Sequence, residues 1–241
     1  MPPKKRKSLA FYSPEDHKTW AALFARQKAL VSKHACKEFL VGFKKLALDP
    51  ARVPNMKRMS VRINRMSGWT LSNAKNNNLA MKDWFTCMRK CSFPVTDYIR
   101  KPEHLDYTPS PDLFHEYFGH LPFFTDKKFG DLAQEFGIMC ARANDRQLLQ
   151  LSRIWSLGIE FGLIKENGKI KFIGAGLLSS HGESLHAEAM IKRGRVVLFN
   201  LKQVIATSGR TYEYHKKYFL LNSLDDISNG LRAYAAKESL L

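Results

Sequence analysis

Ser110-Pro-Asp-Leu-Phe-His-Glu-Tyr-Phe-Gly-His-Leu-Pro122 is the stretch on which the reading of this chain turns. Ser110 is expected to cap a helix, Pro111 suits its first position, and Asp112 complements its positive end. Pro122 is expected to stop that helix by pushing residue 121 out of helical conformation. His115 and His120 then lie at the middle and the end of one short helix. At about 3.6 residues per turn, a spacing of five leaves two side chains about 140° apart. The H-E-x-x-H pattern, spaced by four, instead puts both imidazoles on one face. Here the two can meet one ion only if the helix ends or distorts near His120, and Gly119 with Pro122 supplies the means.

A metal site needs a third ligand. Glu160, in Leu151-Ser-Arg-Ile-Trp-Ser-Leu-Gly-Ile-Glu-Phe-Gly-Leu-Ile164, is the best candidate. Its apolar neighbours Leu157, Ile159, Phe161, Leu163 and Ile164 predict burial, and a lone buried carboxylate is costly unless paired or metal-bound. Two imidazoles and one carboxylate leave open positions on an ion, as in non-haem Fe(II) oxygenases. On spacing alone, a capped structural helix with two incidental histidines and a Glu160 paired to an arginine fits as well.

The rest of the chain sets the frame. Its 241 residues suffice for one domain with a substantial core, expected over residues 11–241, and no linker-like stretch or internal repeat divides it. No apolar run approaches a membrane span and no secretory signal opens the chain, so a soluble cytoplasmic protein is expected. Cys36, Cys87, Cys91 and Cys140 lack zinc-ribbon spacing and read as reduced packing thiols. Lys and Arg outnumber Asp and Glu by 39 to 22, a formal +17. Pro2-Pro-Lys-Lys-Arg-Lys7 has the composition of a nuclear-localisation or nucleic-acid patch, but residues 1–10 read first as a disordered, solvated basic terminus. Polyanion binding at low salt is expected from such a field.

Periodicity predicts a mainly helical chain. Glu15 to Leu48 reads as helix through Trp20, Leu23, Phe24, Leu30, Val31 and Phe39. Further helices are expected over Met81–Cys91, Phe129–Cys140, Arg146–Gly162 and Leu224–Lys237. Residues 163–173 read as a hairpin turning at Asn167-Gly168 in a type I′ turn. Val196–Phe199 and Tyr212–Tyr214 read as short strands.

Five linked motifs carry a resemblance. Tyr98-Ile-Arg100, Tyr107-Thr-Pro-Ser-Pro-Asp112, His115-Glu-Tyr-Phe-Gly-His-Leu-Pro122, Glu160-Phe-Gly162 and Gly174-Ala-Gly-Leu-Leu-Ser-Ser180 with Gly182-Glu183 closely resemble the catalytic domain of the pterin-dependent aromatic amino acid hydroxylases. The 40-residue step from His120 to Glu160 fits as well. The resemblance implies a mainly α fold with small β hairpins (α+β), a basket of helices around an iron cleft. It implies a non-haem Fe(II), tetrahydropterin-dependent monooxygenase that hydroxylates an aromatic amino acid, phenylalanine first, with O2. Iron would be held by His115, His120 and Glu160, with Glu116 the acidic residue near pterin and iron. Arg100 would bind the substrate carboxylate, Asp112 would orient Arg100, and Tyr107, Thr108 and Ser179 would complete the polar end of the pocket. A chain of this length has room for neither a regulatory domain nor a tetramerising helix, so a bare, monomeric catalytic domain is expected.

The departures concern substrate and cofactor. Trp84 stands where the family usually has a phenylalanine that stacks on the pterin. Leu79 lies in the loop Asn76-Asn-Asn-Leu-Ala-Met81, which replaces a more apolar pterin-binding segment, and Trp155 is assigned to the same cofactor side. Ser156 stands where phenylalanine hydroxylases carry a tryptophan beside the substrate ring, which predicts a roomier pocket and relaxed specificity among phenylalanine, tyrosine and tryptophan. Gly174 and Gly176 read as points of close backbone approach and not as a phosphate loop. Two other readings compete: a metal-dependent hydrolase on the same three ligands, and a basic nucleic-acid-binding protein without catalysis.

Overall fold

The computed structural model describes residues 12–74, 79–108, 110–208 and 213–240. The basic residues 1–10, Asn76 to Asn78 of the altered loop, and Tyr212 of one expected strand lie outside them. Helix α1 (Pro14–His34) opens with a capping box, Ser13 accepting from Asp16 N while the Asp16 carboxylate accepts from Ser13 N. The single helix expected to Leu48 is two, because Ala35 and Cys36 are extended and α2 spans Lys37–Leu46. Ala35 bridges to Phe172, and Cys36 N donates to the Phe172 carbonyl at 3.0 Å. The break satisfies a buried backbone donor across the fold, a tertiary demand that helical periodicity does not register.

Helix α3 (Met56–Ser67), capped by Asn55 and ended by Gly68 at φ 82°, leads into β1 (Thr70–Asn73). Then come α4 (Met81–Arg89) and β2 (Ser92–Val95), which pairs parallel with β1. Helices α5 (Lys127–Arg142) and α6 (Asp145–Ile154) follow, α6 with a second capping box from Asn144 and Gln147. Strands β3 (Leu163–Glu166) and β4 (Lys169–Phe172) form the expected hairpin, with φ of 50° at Asn167 and 74° at Gly168. Both positive values suit a type I′ turn. The chain closes with α7 (Ala175–Ser179), α8 (His181–Lys192), β5 (Val196–Leu198), α9 (Leu201–Ala206), β6 (Tyr218–Leu221) and α10 (Asp225–Lys237). The last strand falls later than expected: its four residues, Tyr-Phe-Leu-Leu, are all buried, whereas Glu213 and Tyr214 are not in a strand. The larger sheet has order β4-β3-β6-β5, so outside the hairpin its pairings are parallel.

Aromatic side chains fill the space between helices. Phe114 and Phe118 stack at 4.7 Å, with Trp20 5.3 Å from Phe114, and Phe24 and Phe43 5.3 Å and 5.0 Å from Phe118. Such pairs contribute about 0.5–1.5 kcal/mol each beyond the area they bury. They fasten one side of the histidine segment to α1 and α2, and its histidines face the other way. Among the described residues, no helix is long and apolar enough to cross a membrane.

Candidate active site

The distortion that the five-residue spacing requires is a π-turn. Asp112 caps the segment, its Oδ1 accepting from His115 N at 3.1 Å, so the cap falls two residues after the expected Ser110. After Leu113 and Phe114 the backbone widens into π geometry over His115–His120, with Leu121 N donating to Glu116 O at 3.1 Å. Bonding from i to i+5 stacks residue 120 over residue 115. The two rings come within 4.7 Å and their Nε2 atoms within 3.1 Å. Pro122 does not force Leu121 out of helical conformation: Leu121 sits at φ −59°, ψ −30°, and Pro122 continues into the 3-10 turn Phe123–Thr125. The pre-proline restriction is a bias, and here the last π bond ends on Leu121, one residue before the missing N–H.

A second π-turn, Trp155–Glu160, delivers the carboxylate, closed by Phe161 N donating to Ser156 O at 3.0 Å. The same step of five places Trp155 beside Glu160, and Trp155 Nε1 donates to Glu160 Oε1 at 2.7 Å. Helix α7 packs against both turns, which explains the glycines. A Cβ on Gly174 would lie 2.3 Å from Glu160 O, and one on Gly119 would lie 2.7 Å from Ala175 O.

His115, His120 and Glu160 converge so that one ligand atom from each lies within 4.8 Å of the others. Glu160 Oε1 is 3.0 Å from His120 Nε2, and Oε2 is 3.4 Å from His115 Nε2. Burial works to raise the Glu160 pKa but is outweighed by the charge and hydrogen bond of His120, by His115 and by the Trp155 indole, so the carboxylate is held down at about 2. Burial pushes His115 down to about 4, with His120 and Arg100 adding to the fall against Glu160 and Asp112. An ionised carboxylate and a neutral imidazole are the forms a metal takes. His115 Nδ1 lies 2.9 Å from Ser179 Oγ, which donates to Ala175 O at 2.8 Å, so the imidazole proton is on Nδ1 and the lone pair on Nε2. The donor set fits a divalent iron with open coordination positions.

The ligands open onto a cavity of about 210 Å³ lined by Arg100, Tyr107, Thr108, Pro111, His115, Glu160, Phe161, Gly176, Ser179 and Ser180. Arg100 forms a buried fork with Asp112: Nε donates to Oδ2 at 2.9 Å and Nη2 to Oδ1 at 2.7 Å. Burial opposes ionisation of Asp112, but the charge and hydrogen bonds of Arg100, with the His115 backbone N–H, hold it below the usual carboxylate range. Arg100 Nη1 is buried with no partner among the described residues. Glu116 is 3% exposed, and burial, with the charges of Glu160 and Asp112, pushes its pKa well above the usual carboxylate range.

Other expected residues lie elsewhere. Trp155 is buried behind the ligands, stacked 6.1 Å from His120 and edge-on to Trp84 at 5.5 Å. Trp84, half-buried, also packs edge-on against Phe85 and Phe93. Leu79 is half-buried just before α4. Ser156 is not among the cavity-lining residues, and its carbonyl closes the second π-turn. Phe161 and Ser180 line the cavity without having been singled out, although both sit inside quoted motifs.

The family model for the biopterin-dependent aromatic amino acid hydroxylases matches residues 7–239. A phenylalanine-4-hydroxylase of Chromobacterium violaceum is 34% identical over 217 residues, 90% of this chain and 72% of that protein. A crystal structure of a C. violaceum phenylalanine hydroxylase with iron(III) and 7,8-dihydrobiopterin superposes with a TM-score of 0.83 at 31% identity, covering 95% of this chain and 82% of that one. A tyrosine 3-monooxygenase of Drosophila melanogaster is 33% identical over 95% of this chain, which spans 40% of that protein. The chain belongs to the biopterin-dependent aromatic amino acid hydroxylases. It is an oxidoreductase of the monooxygenase type.

Proposed function

We propose that the protein hydroxylates the ring of phenylalanine, using Fe(II), O2 and a tetrahydropterin. The observation that carries this is the joining of two parts in one cavity: the His115–His120–Glu160 cluster, and an Arg100 guanidinium whose Nη1 has no partner among the described residues. His115, His120 and Glu160 would hold the iron. Iron and pterin, when bound, would supply the electrons and the O2 activation that no side chain offers. Arg100, pre-oriented by Asp112, would take the substrate carboxylate, a task suited to a planar fork. Tyr107, Thr108 and Ser179 would bound the polar end, and the ring would lie toward Phe161 and Glu160.

Glu116, whose carboxyl pKa burial pushes up, would hold a proton within the site, with Oε2 buried and without a partner among the described residues. Trp84, with Leu79, would form the pterin side, and Trp155 would steady Glu160. Acceptance of tyrosine and tryptophan beside phenylalanine belongs to the proposal on the sequence difference at Ser156 alone, since Ser156 is not among the cavity-lining residues. Four free cysteines support a reducing compartment, the cytoplasm, and a monomer completes the proposal, checked by light scattering.

The test is anaerobic loading with Fe(II), then O2 with a tetrahydropterin and each aromatic amino acid, scored by mass. A gain of one oxygen on phenylalanine, lost in His115→Ala and Glu160→Ala, is expected. Tight stoichiometric iron with no oxygenated product from any of the three would sink the proposal. A hydrolase on the same ligands would instead be independent of O2 and indifferent to Arg100.

A further inference from the structure

Phe161 follows the carboxylate ligand directly and gives the cavity an aromatic wall beside Tyr107. Its ring is held from two sides. On one side is Gly176, where a Cβ would lie 2.5 Å from ring atom Cε1. On the other is the imidazole of His215, with ring centroids 3.9 Å apart and planes inclined by 31°. Among the described residues, His215 is not part of the cavity lining.

His215 is itself fixed. It is 4% exposed and Glu183 is 1% exposed. Glu183 Oε1 accepts from His215 N at 3.1 Å, from His215 Nδ1 at 2.9 Å and from the Tyr218 hydroxyl at 2.7 Å. The His215 carbonyl lies 2.9 Å from His186 Nε2, which ties the same residue to the next turn of α8. A buried carboxylate is costly unless hydrogen-bonded; three donors converge on Glu183 Oε1, while Oε2 is buried with no partner among the described residues. This arrangement joins the first turn of α8, the segment before β6, and β6 itself, and it presents one imidazole face to Phe161.

We propose that His215, locked by Glu183 and Tyr218, is a positioning residue that backs Phe161 and thereby sets which aromatic ring the cavity accepts. The inference rests on the cavity being the aromatic amino acid site. The cavity holds about 210 Å³. An aromatic wall that can retreat enlarges it on the ring side and favours indole over phenyl, and a wall held in place favours phenyl.

Two substitutions separate the parts of this arrangement. His215→Gln keeps an amide donor for Glu183 but removes the ring face behind Phe161. His215→Phe keeps a ring face but removes the donor. Phenylalanine and tryptophan are titrated calorimetrically into Fe(II)-loaded protein without O2, and the melting temperature of each variant is recorded. H215Q is expected to raise the Kd for phenylalanine relative to tryptophan by about three- to tenfold, the scale of one aromatic pair. H215F is expected to lower the melting temperature while the Kd ratio stays within about twofold. An unchanged ratio in H215Q, with iron still bound stoichiometrically, overturns the inference while leaving the assignment of the cavity intact. If H215Q does not fold, a shifted ratio in H215F overturns it instead. No binding of any aromatic amino acid by the unsubstituted protein overturns the cavity assignment, and this inference with it.

Discussion

Replacing Ser179 with alanine deletes one buried oxygen atom, and the consequence should be read at the metal. Ser179 is 2% exposed. Its hydroxyl donates to Ala175 O at 2.8 Å, so toward His115 Nδ1, 2.9 Å away, it can only accept. That pins the imidazole proton to Nδ1 and leaves Nε2 free to coordinate. In Ser179→Ala the Nδ1–H loses its acceptor, and an unsatisfied buried donor costs about 1–3 kcal/mol. The ring escapes that cost by turning, or by moving its proton to Nε2, and either change spoils the coordinating atom. Supporting bonds behind a metal-bound histidine are worth about 10- to 100-fold in affinity, or about 1.4–2.8 kcal/mol at 1.4 kcal/mol per decade. Anaerobic competition for Fe(II) or Co(II) against a chromophoric chelator measures the change directly, with circular dichroism to show that the fold is intact. Metal affinity within twofold of the unsubstituted protein would refute the tautomer argument, whatever happened to turnover.

Three further outcomes are expected. Arg100→Lys replaces a planar fork by a point charge, so the KM for phenylalanine should rise about tenfold or more with iron affinity unchanged; steady-state kinetics with metal titration check both. Gly176→Ala places a Cβ 2.5 Å from the Phe161 ring and 2.9 Å from Glu160 O. Overpacking of this kind costs about 1–3 kcal/mol, visible as a fall of about 2–4 °C per kcal/mol in a thermal melt. The third concerns acid. His115 titrates at about 4 when folded against 6.5 ordinarily, so on acidification the unfolded chain takes up that proton first. The His115 contribution to the stability of the metal-free protein should be complete above pH 6.5 and be lost as pH drops toward 4, about 3 kcal/mol in all. Glu160, held at about 2 against 4.5, extends the loss below pH 4.5. Urea midpoints measured across pH should show the upper part of the decline flattened in His115→Gln; an identical profile in that variant would contradict the assignment.

What could be read in the sequence was chemistry at fixed spacing. Residue type and order offered the ligand candidates and the close-approach glycines, the family resemblance added the Arg100–Asp112 pair, and Asn167-Gly168 dictates its turn through two positive φ values. What could not be read depends on partners distant in the chain. The break at Ala35 and Cys36 exists because Phe172 offers a carbonyl to Cys36, and nothing within residues 15–48 signals that. The cap moved from Ser110 to Asp112 because the Asp112 carboxylate is already oriented by Arg100, 12 residues away. His215 and Tyr218 sit in no motif, and their role depends on Glu183, more than 30 residues earlier.

The two π-turns make the larger point about spacing. His115 to His120 and Trp155 to Glu160 are both steps of five, and a regular α-helix separates such pairs onto different faces. In i+5 geometry each pair shares a face, and one turn presents two imidazoles while the other presents a carboxylate with its own indole donor. A π-turn gives up regular α bonding, and packing elsewhere has to hold it. Phe114 and Phe118 lock the first turn from behind against α1 and α2, and Gly119, Gly174 and Gly176 let α7 close on both turns. A step of five between chemically active residues, flanked by buried aromatics on one side and glycine on the other, therefore marks a pair meant to act together where an α-helical reading separates them.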